Sequence, residues 1–171
     1  MTQQPRQVPS DNAINFSWVY RKPDRLLAMG FGSGLLRPAP GTWGTLLAWV
    51  LWLAAISRLN DAGVALVLVA SFAYGCWACQ RVGRELNRPD DGRMVWDEIV
   101  AFWLVLWLTP SDFFAQTAAF LLFRFFDIVK PPPIAWFDRR LKNGFGVMWD
   151  DIVAALYALL VLAVLTQIGV L

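Results

Sequence analysis

The chain has 171 residues, of which 57% are hydrophobic and 16% charged, and its formal net charge is +2. Soluble domains average roughly 45–50% apolar and about 25% charged residues, so this composition indicates a membrane protein. The ten Trp and twelve Phe residues fit that class, because aromatic side chains collect at bilayer interfaces. The small net charge, without a basic tract, argues against a nucleic-acid partner.

The length predicts a single domain. The first residues lack the apolar core of a secretory signal or membrane anchor, so we predict a flexible tail over residues 1–24 and one helical membrane domain over residues 25–171. Cys76 and Cys79 lie in an apolar stretch of a chain that has no histidine. Two thiols alone are too few for a zinc site, which favours a packing role.

Apolar runs separated by turn signals predict about five helical segments, some of them short or re-entrant. A full crossing of the hydrocarbon core takes about 20 residues, and only the last run clearly reaches that length. The predicted fold class is an all-α, polytopic membrane protein. The runs cover residues 43–56, 63–79, 95–108, 113–129 and 152–171.

Basic residues alternate between the connecting segments, which predicts the orientation because Arg and Lys concentrate in cytoplasmic loops. The pattern places the N-terminus inside and the C-terminus outside, with five crossings if every run spans. The basic segments hold Arg21, Lys22, Arg25 and Arg37, then Arg81, Arg84, Arg88 and Arg93, then Lys130, Arg139, Arg140 and Lys142.

Two nearly identical motifs, W-D-E-I-V-A at 96–101 and W-D-D-I-V-A at 149–154, place paired carboxylates at the start of apolar runs. In the predicted topology, six acidic residues share the cytoplasmic face. They are Asp97, Glu98, Asp127, Asp138, Asp150 and Asp151.

A structural explanation competes with a functional one. Carboxylates in the first helical turn are stabilised by the helix dipole, but Asp127 closes a run, where the dipole disfavours it, unless Arg124 and Lys130 neutralise it. Six carboxylates at one face also repel each other unless cations intervene. Oxygen ligands without histidine or thiolate favour Mg²⁺ or Mn²⁺.

The glycine-rich stretch over residues 30–45 leads into the first run from the same face. Helix N-termini attract phosphate through backbone N–H groups, and Thr42 suits an N-cap. Arg37 could donate bidentate hydrogen bonds to a phosphate. A plain tight turn remains the alternative. The lack of histidine excludes a phosphohistidine intermediate, and neither cysteine is followed by Arg at the spacing of a Cys-x5-Arg phosphatase loop. The remaining chemistry is attack by a metal-activated water on phosphorus.

Four motifs, in this order, resemble the phosphatidylglycerophosphatase A family over about residues 25–156. They are F-G-S-G-L-L-R-P-A-P-G-T-W-G-T-L, V-W-D-E-I, F-R-F-F-D-I-V-K-P-P-P-I-A-W-F-D-R-R and G-F-G-V-M-W-D-D-I-V-A. The resemblance implies an all-α, Mg²⁺-dependent enzyme of the bacterial inner membrane. Such an enzyme removes the terminal phosphate of phosphatidylglycerophosphate to give phosphatidylglycerol, with its active site on the cytoplasmic side.

The resemblance also implies site residues in this chain. The expected metal ligands are Asp97, Glu98, Asp127, Asp138, Asp150 and Asp151. The expected catalytic residues are Asp97, Glu98, Asp127, Lys130 and Asp151. Substrate phosphate is expected at Arg37, Gly41, Thr42, Thr45, Lys130 and Arg139.

Two other functions remain open from the sequence. A cation-binding or transport protein would place acids at mid-membrane depth, whereas these acids cluster at one end of the runs. A CDP-alcohol phosphotransferase would also use carboxylates and Mg²⁺, and D-D-G-R at 90–93 echoes its motif. The sequence does not indicate an oligomeric state.

Overall fold

A computed structural model of the chain describes residues 8–169, apart from the side chains of Phe137 and Asp138. Within this range every regular element is helical, which confirms the all-α fold class. The α-helices are α1 (Phe16–Tyr20), α2 (Pro23–Ala28), α3 (Pro40–Ala54), α4 (Asp61–Leu86), α5 (Trp96–Trp107), α6 (Phe113–Val129), α7 (Ile134–Arg140) and α8 (Gly144–Gln167). Short 3-10 turns cover Asp11–Ala13, Gly30–Leu35 and Ile56–Arg58.

The N-terminal segment differs from the predicted tail in its described part, residues 8–24. It contains α1 and the start of α2, and it buries Trp18 and Val19 in the core. The Arg25 guanidinium lies 3.9 Å from the centre of the Trp18 ring and donates to the Trp18 carbonyl oxygen. These contacts fix the segment against α4, where Arg25 also pairs with Glu85.

Helix α3 begins earlier than predicted, at Pro40. Proline is favourable in the first helical turn because its missing N–H would have no partner there. Ala39 precedes it as the N-cap, with a left-handed φ of 58° and without a side-chain cap. Thr42 is therefore the third residue of the helix, and its predicted role as N-cap is wrong.

Helix α4 is longer than the apolar run over 63–79. The Asn60 side chain accepts a hydrogen bond from the Gly63 N–H at 2.8 Å, and the helix continues to Asn87, which ends it in the left-handed conformation. Its last two turns carry charged residues, of which Arg81 and Glu85 pair with Asp24 and Arg25 of α2. At 26 residues it is about 39 Å long, so the expectation that only the last run clearly spans is wrong.

Helix α8 begins at Gly144, eight residues before the predicted start. Asn143 caps it by accepting a hydrogen bond from the Gly146 N–H at 2.8 Å. Asp150 and Asp151 therefore lie at the end of the second turn, not at the opening of the helix. Because the dipole effect is confined to the first turn, a helix-start role does not account for these two acids.

Helix α5 forms the centre of the bundle and packs against α3, α4, α6 and α8. Its side chains Ile99, Phe102 and Val105 are fully buried. With 12 residues it is about 18 Å long, too short to cross a hydrocarbon core of about 30 Å. Among the described residues, three segments are long and apolar enough to cross, namely Pro40–Arg58, Asp61–Leu86 and Gly144–Gln167.

Candidate active site

The two repeated carboxylate motifs meet in the structure. Asp97 and Glu98 lie in the first turn of α5, and Asp151 lies on α8, which packs directly against it. One oxygen from each of the three carboxylates lies within 4.8 Å of the others. We call Asp97, Glu98 and Asp151 the acidic cluster. Residues more than 50 positions apart thus bring carboxylate oxygens to a spacing at which they could hold a metal ion.

Asp127 joins the acidic cluster from α6. Its carboxylate lies beside that of Asp151, and it is buried. The Arg124 guanidinium lies 2.6 Å from Asp127 and 3.7 Å from Glu98. The predicted neutralisation of Asp127 by Arg124 is therefore present, but the same cation also serves an acid on another helix.

Lys130 ends α6 in a left-handed conformation and reaches α8. Its ammonium nitrogen lies 2.5 Å from a carboxylate oxygen of Asp150. Asp150 thus contacts a cation at the edge of the acidic cluster. Its predicted role as a metal ligand stays a prediction, as does that of Asp138, whose side chain lies outside the described part of the structure.

The glycine-rich stretch reaches the acidic cluster through Gly41. A Cβ atom at Gly41 would lie 2.2 Å from the Glu98 Oε1 atom and 2.9 Å from the terminal nitrogens of Arg124. Thr45, one turn further along α3, donates to the Gly41 carbonyl oxygen at 2.8 Å and accepts from Arg124 at 3.4 Å. The N-terminal turn of α3 is therefore in direct contact with Glu98 and Arg124.

The other predicted phosphate-binding residues are less closely engaged. Thr42 is half-buried and Arg37 is exposed. Arg139 is also exposed, and its Nε–H donates to the Ala135 carbonyl oxygen one turn earlier at 2.9 Å. Their binding roles stay predictions. Arg124, which the sequence suggested only as a local partner of Asp127, is the basic residue that the structure places at the acidic cluster.

The hydrogen bonding of the acidic cluster among the described residues fits a site for a divalent cation. Within the described residues, the Glu98 Oε2 and Asp151 Oδ2 atoms are buried without a hydrogen-bond donor. A buried carboxylate oxygen without a partner is costly. Oxygen ligands close together, without histidine, match the coordination preference of Mg²⁺. Asp97, Glu98 and Asp151, with Asp127 beside them, are the residues that can hold such an ion.

The D-D-G-R motif forms a separate structural network in the loop before α5. Asp91 accepts hydrogen bonds from the Nε and Nη2 atoms of Arg93, both at 2.7 Å, and Arg93 also contacts Asp11 at 3.1 Å. Burial alone would raise the pKa of the Asp91 carboxyl, but the hydrogen bonds and charge of Arg93 lower that pKa below its usual value of 3.8. The motif ties the loop to the N-terminal segment.

Comparison with known proteins decides the family. The sequence model of phosphatidylglycerophosphatase A matches residues 26–166. The chain belongs to the phosphatidylglycerophosphatase A family. This membership confirms the resemblance seen in the sequence, and it makes the chain one of a family of phosphoric monoester hydrolases.

Curated relatives cover most of this family member. The phosphatidylglycerophosphatase A of Haemophilus influenzae is 48% identical over 140 residues, which are 81% of this chain and 86% of the relative. The Escherichia coli protein of the same name is 40% identical over 133 residues, 77% of each chain. A Bacteroides thetaiotaomicron protein, provisionally named a phosphatidylinositol-3-phosphatase, is 39% identical over 147 residues, 81% of this chain and 91% of the relative. No solved structure matches the chain.

Proposed function

We propose that this family member hydrolyses the terminal phosphomonoester of phosphatidylglycerophosphate to phosphatidylglycerol and inorganic phosphate, with Mg²⁺, at the cytoplasmic face of the bacterial inner membrane. The observation that carries the proposal is the acidic cluster, with its two unpartnered buried oxygens, in contact with Arg124 and the N-terminus of α3. The names of the two phosphatidylglycerophosphatase A relatives support the substrate.

The acidic cluster is the proposed Mg²⁺ site. Asp97, Glu98 and Asp151 contribute its closest oxygens, and Asp127 contributes a fourth carboxylate from α6. When bound, the ion supplies Lewis-acid neutralisation of charge on the phosphoryl oxygens and activates water. Asp150 and Asp138 remain proposed ligands at the periphery, where Asp150 already contacts Lys130.

The phosphate lies, in this proposal, between the N-terminal turn of α3 and Arg124. The Thr42 and Trp43 N–H groups of that turn donate to the Ala39 carbonyl oxygen at 3.0 and 3.4 Å, so it is the positive end of the α3 dipole that favours an anion there. The Arg124 guanidinium, 3.4 Å from the Thr45 hydroxyl, adds charge-assisted hydrogen bonds to phosphoryl oxygens. Lys130 supplies a second cation at the side of Asp150.

Glu98 is the proposed residue for orienting the attacking water. Its Oε1 atom faces Arg124, and its Oε2 atom is buried without a donor, so this oxygen has two alternative roles, as a ligand of the ion or as the acceptor of a proton from the attacking water. Water oxygen forms the new bond to phosphorus, the bond from phosphorus to the lipid glycerol oxygen breaks, and the glycerol oxygen takes up the proton that the water gave up. Positioning and electrostatic stabilisation account for most of the catalysis of phosphoryl transfer.

The depth of the acidic cluster favours this reaction over cation transport. Asp97 and Glu98 lie in the first turn of α5, and Asp127 lies in the last turn of α6, next to the basic segment that begins at Lys130. Acids at helix ends meet a lipid headgroup, whereas an ion path needs them across the membrane.

Phosphate release from purified protein in detergent tests the proposal. We expect release from phosphatidylglycerophosphate, loss of that release in EDTA, and recovery with Mg²⁺. Soluble glycerol 3-phosphate and phosphatidylinositol 3-phosphate serve as competing substrates, the latter because of the Bacteroides relative. A preference for either competitor would overturn the substrate assignment, and full activity in EDTA would overturn the Mg²⁺ requirement. Release of CMP from a CDP-lipid would indicate a phosphotransferase.

A further inference from the structure

A groove of about 360 Å³ lies between α3 and α6, on the membrane side of Arg124 and Gly41. It is lined mainly by apolar side chains, including Leu46, Trp49 and Val50 of α3 and Phe113 of α6. This volume is within the range of about 300–1,000 Å³ that is typical of ligand sites. The groove is open to the surroundings of the helices, since Val50 is 60% and Phe113 71% exposed.

The groove and the proposed phosphate position lie along the same seam between α3 and α6. On α3, Thr45 and Trp49 follow Gly41 at intervals of four residues, so they share one face. On α6, Phe120 and Gln116 precede Arg124 at the same interval. The Thr45 hydroxyl meets Arg124, and one and two turns deeper the Trp49 ring stacks on Phe120 and donates to the Gln116 side chain at 2.7 Å.

The two ends of this seam differ in charge. One end has Arg124 and the N-terminus of α3, which attract an anion. The other end is apolar and reaches Leu53, twelve residues along α3 from Gly41, a length of about 18 Å. An anionic end followed by an apolar end matches the order of headgroup and acyl chain in a phospholipid.

We propose that the groove between α3 and α6 holds one acyl chain of the phospholipid substrate while its phosphate lies beside Arg124. This inference rests on the proposed function and adds to it a subsite for the lipid tail. A chain in the groove draws the phosphate towards the acidic cluster from the bilayer side. The intact phospholipid is therefore favoured over the deacylated ester of the same headgroup.

Position 50 allows the groove to be blocked without touching the acidic cluster. Val50 lies nine residues from Gly41, about 14 Å along the helix. In phosphatidylglycerophosphate, a glycerol, a phosphodiester and a second glycerol separate the terminal phosphorus from the first acyl carbon, about eleven bonds that span up to about 14 Å at roughly 1.3 Å per bond. Acyl chains of any length therefore reach position 50, whereas the deacylated headgroup does not extend past it. Val50→Trp fills the groove, and Val164→Trp is the matched control on α8, where Val164 is 52% exposed and does not line the groove.

The first test compares sixteen-carbon phosphatidylglycerophosphate with its deacylated headgroup, glycerophosphoglycerophosphate, in one detergent. For Val50→Trp we expect KM for the lipid to rise at least fivefold while kcat/KM for the deacylated ester stays at the wild-type value. Val164→Trp should resemble wild type on both. Equal behaviour of the two variants, or an equal loss on both substrates, would overturn the groove. Leu53→Trp, at the far end of the groove, gives the same comparison if Val50→Trp is poorly folded.

The second test does not depend on activity. A sixteen-carbon phosphatidylglycerol analogue that carries a diazirine on its acyl chain should crosslink to residues 46–53 and 111–116 in wild type and in Val164→Trp, and much less in Val50→Trp. Crosslinks elsewhere, unchanged by Val50→Trp, would contradict the proposal. Failure of the proposed function would instead appear as no phosphate release from either substrate by wild type, while the crosslinks would still decide the groove.

Discussion

Glycine at position 41 leaves the space that the Glu98 carboxylate and the Arg124 guanidinium occupy. A methyl group there would push one or both of these groups away from the acidic cluster. Because a displacement of about 1 Å in a catalytic site can cost about 100-fold in rate, we expect Gly41→Ala to lower kcat/KM by about that factor. The measurement is phosphate release from phosphatidylglycerophosphate at saturating Mg²⁺.

Gly92 provides the control, since a Cβ atom there would have no heavy atom within 4 Å. Gly92→Ala should retain wild-type activity. Full activity of Gly41→Ala would show that the contact between α3 and Glu98 is not part of the site.

Two arginines are candidates for binding the phosphate. The position of Arg124 in the structure favours it, whereas Arg139 was predicted from the sequence. Arg124 contacts the acids of two helices, whereas the Arg139 guanidinium donates to a backbone oxygen on an exposed turn. Removal of one donor to a developing anion typically costs 100- to 1,000-fold in kcat. We therefore expect Arg124→Gln to lose at least about 100-fold in kcat/KM and Arg139→Gln to lose less than about threefold, and the reverse order would contradict the role of Arg124.

At this scale the sequence predicted the grouping of the acids better than the position of Arg124. The repeated W-D-E and W-D-D motifs are visible without a structure, and they predicted that Asp97, Glu98 and Asp151 would share one face. Arg124 was interpreted as a neighbour of Asp127 because the two are three residues apart. Its contact with Glu98 depends on how α6 packs near α5, which spacing along one helix does not reveal.

At the scale of single elements, the loop between α4 and α5 shows how local ion pairs position the acidic cluster. Asp91, Arg93 and Asp11 form a network directly before Trp96 and Asp97. Removing the Asp91 charge leaves Arg93, which is 7% exposed, with poorer hydrogen bonds. Since hydrogen bonds to charged groups contribute about 1.5–3 kcal/mol, we expect Asp91→Asn to lower the free energy of unfolding by about that amount at pH 7, measured as a fall in Tm.

The pH dependence follows from the lowered pKa of Asp91. A carboxylate whose pKa is lower in the folded state stabilises the fold above its unfolded value, 3.8, and loses that contribution as the pH falls through the folded value. The difference in Tm between wild type and Asp91→Asn should therefore shrink from pH 7 to pH 3. The Asp90 carboxylate is 3.9 Å from the Lys142 ammonium at the surface, so Asp90→Asn should differ little from wild type in Tm at both pH values. A Tm difference for Asp91→Asn that stays constant with pH would contradict the network.

Helix existence was predictable at this scale, whereas helix limits were less so. All five apolar runs correspond to helices, because apolar composition over a dozen or more residues is a strong signal. The starts of α3 and α8 were missed because Pro40 and Asn143 are initiation signals that lie before the apolar residues. The charged last turns of α4 were missed because the apolar run ends at residue 79, although the helix continues to Leu86.

For the whole molecule, the proposed site depends on three distant segments meeting around α5. The Gly41 turn, the α6 C-terminus and the second turn of α8 each contribute a part, and α5 contributes Asp97 and Glu98. The sequence-derived topology predicted that these parts would share one membrane face. It also predicted that some segments would be short, but it did not single out α5 as the buried one, since the apolar composition of α5 resembles that of the other runs.

The most direct measurement is Mg²⁺ binding to the purified protein by isothermal titration calorimetry, without substrate. Asp151 is 3% exposed, and one of its oxygens has no donor among the described residues, so its loss should weaken a metal site directly. We expect wild type to bind Mg²⁺ and Asp151→Asn to bind it at least tenfold more weakly. Asp61→Asn is the control and should match wild type, since Asp61 is the first residue of α4 and is not part of the acidic cluster. Absence of Mg²⁺ binding in wild type, or equal affinity in wild type and Asp151→Asn, would contradict the acidic cluster as a metal site.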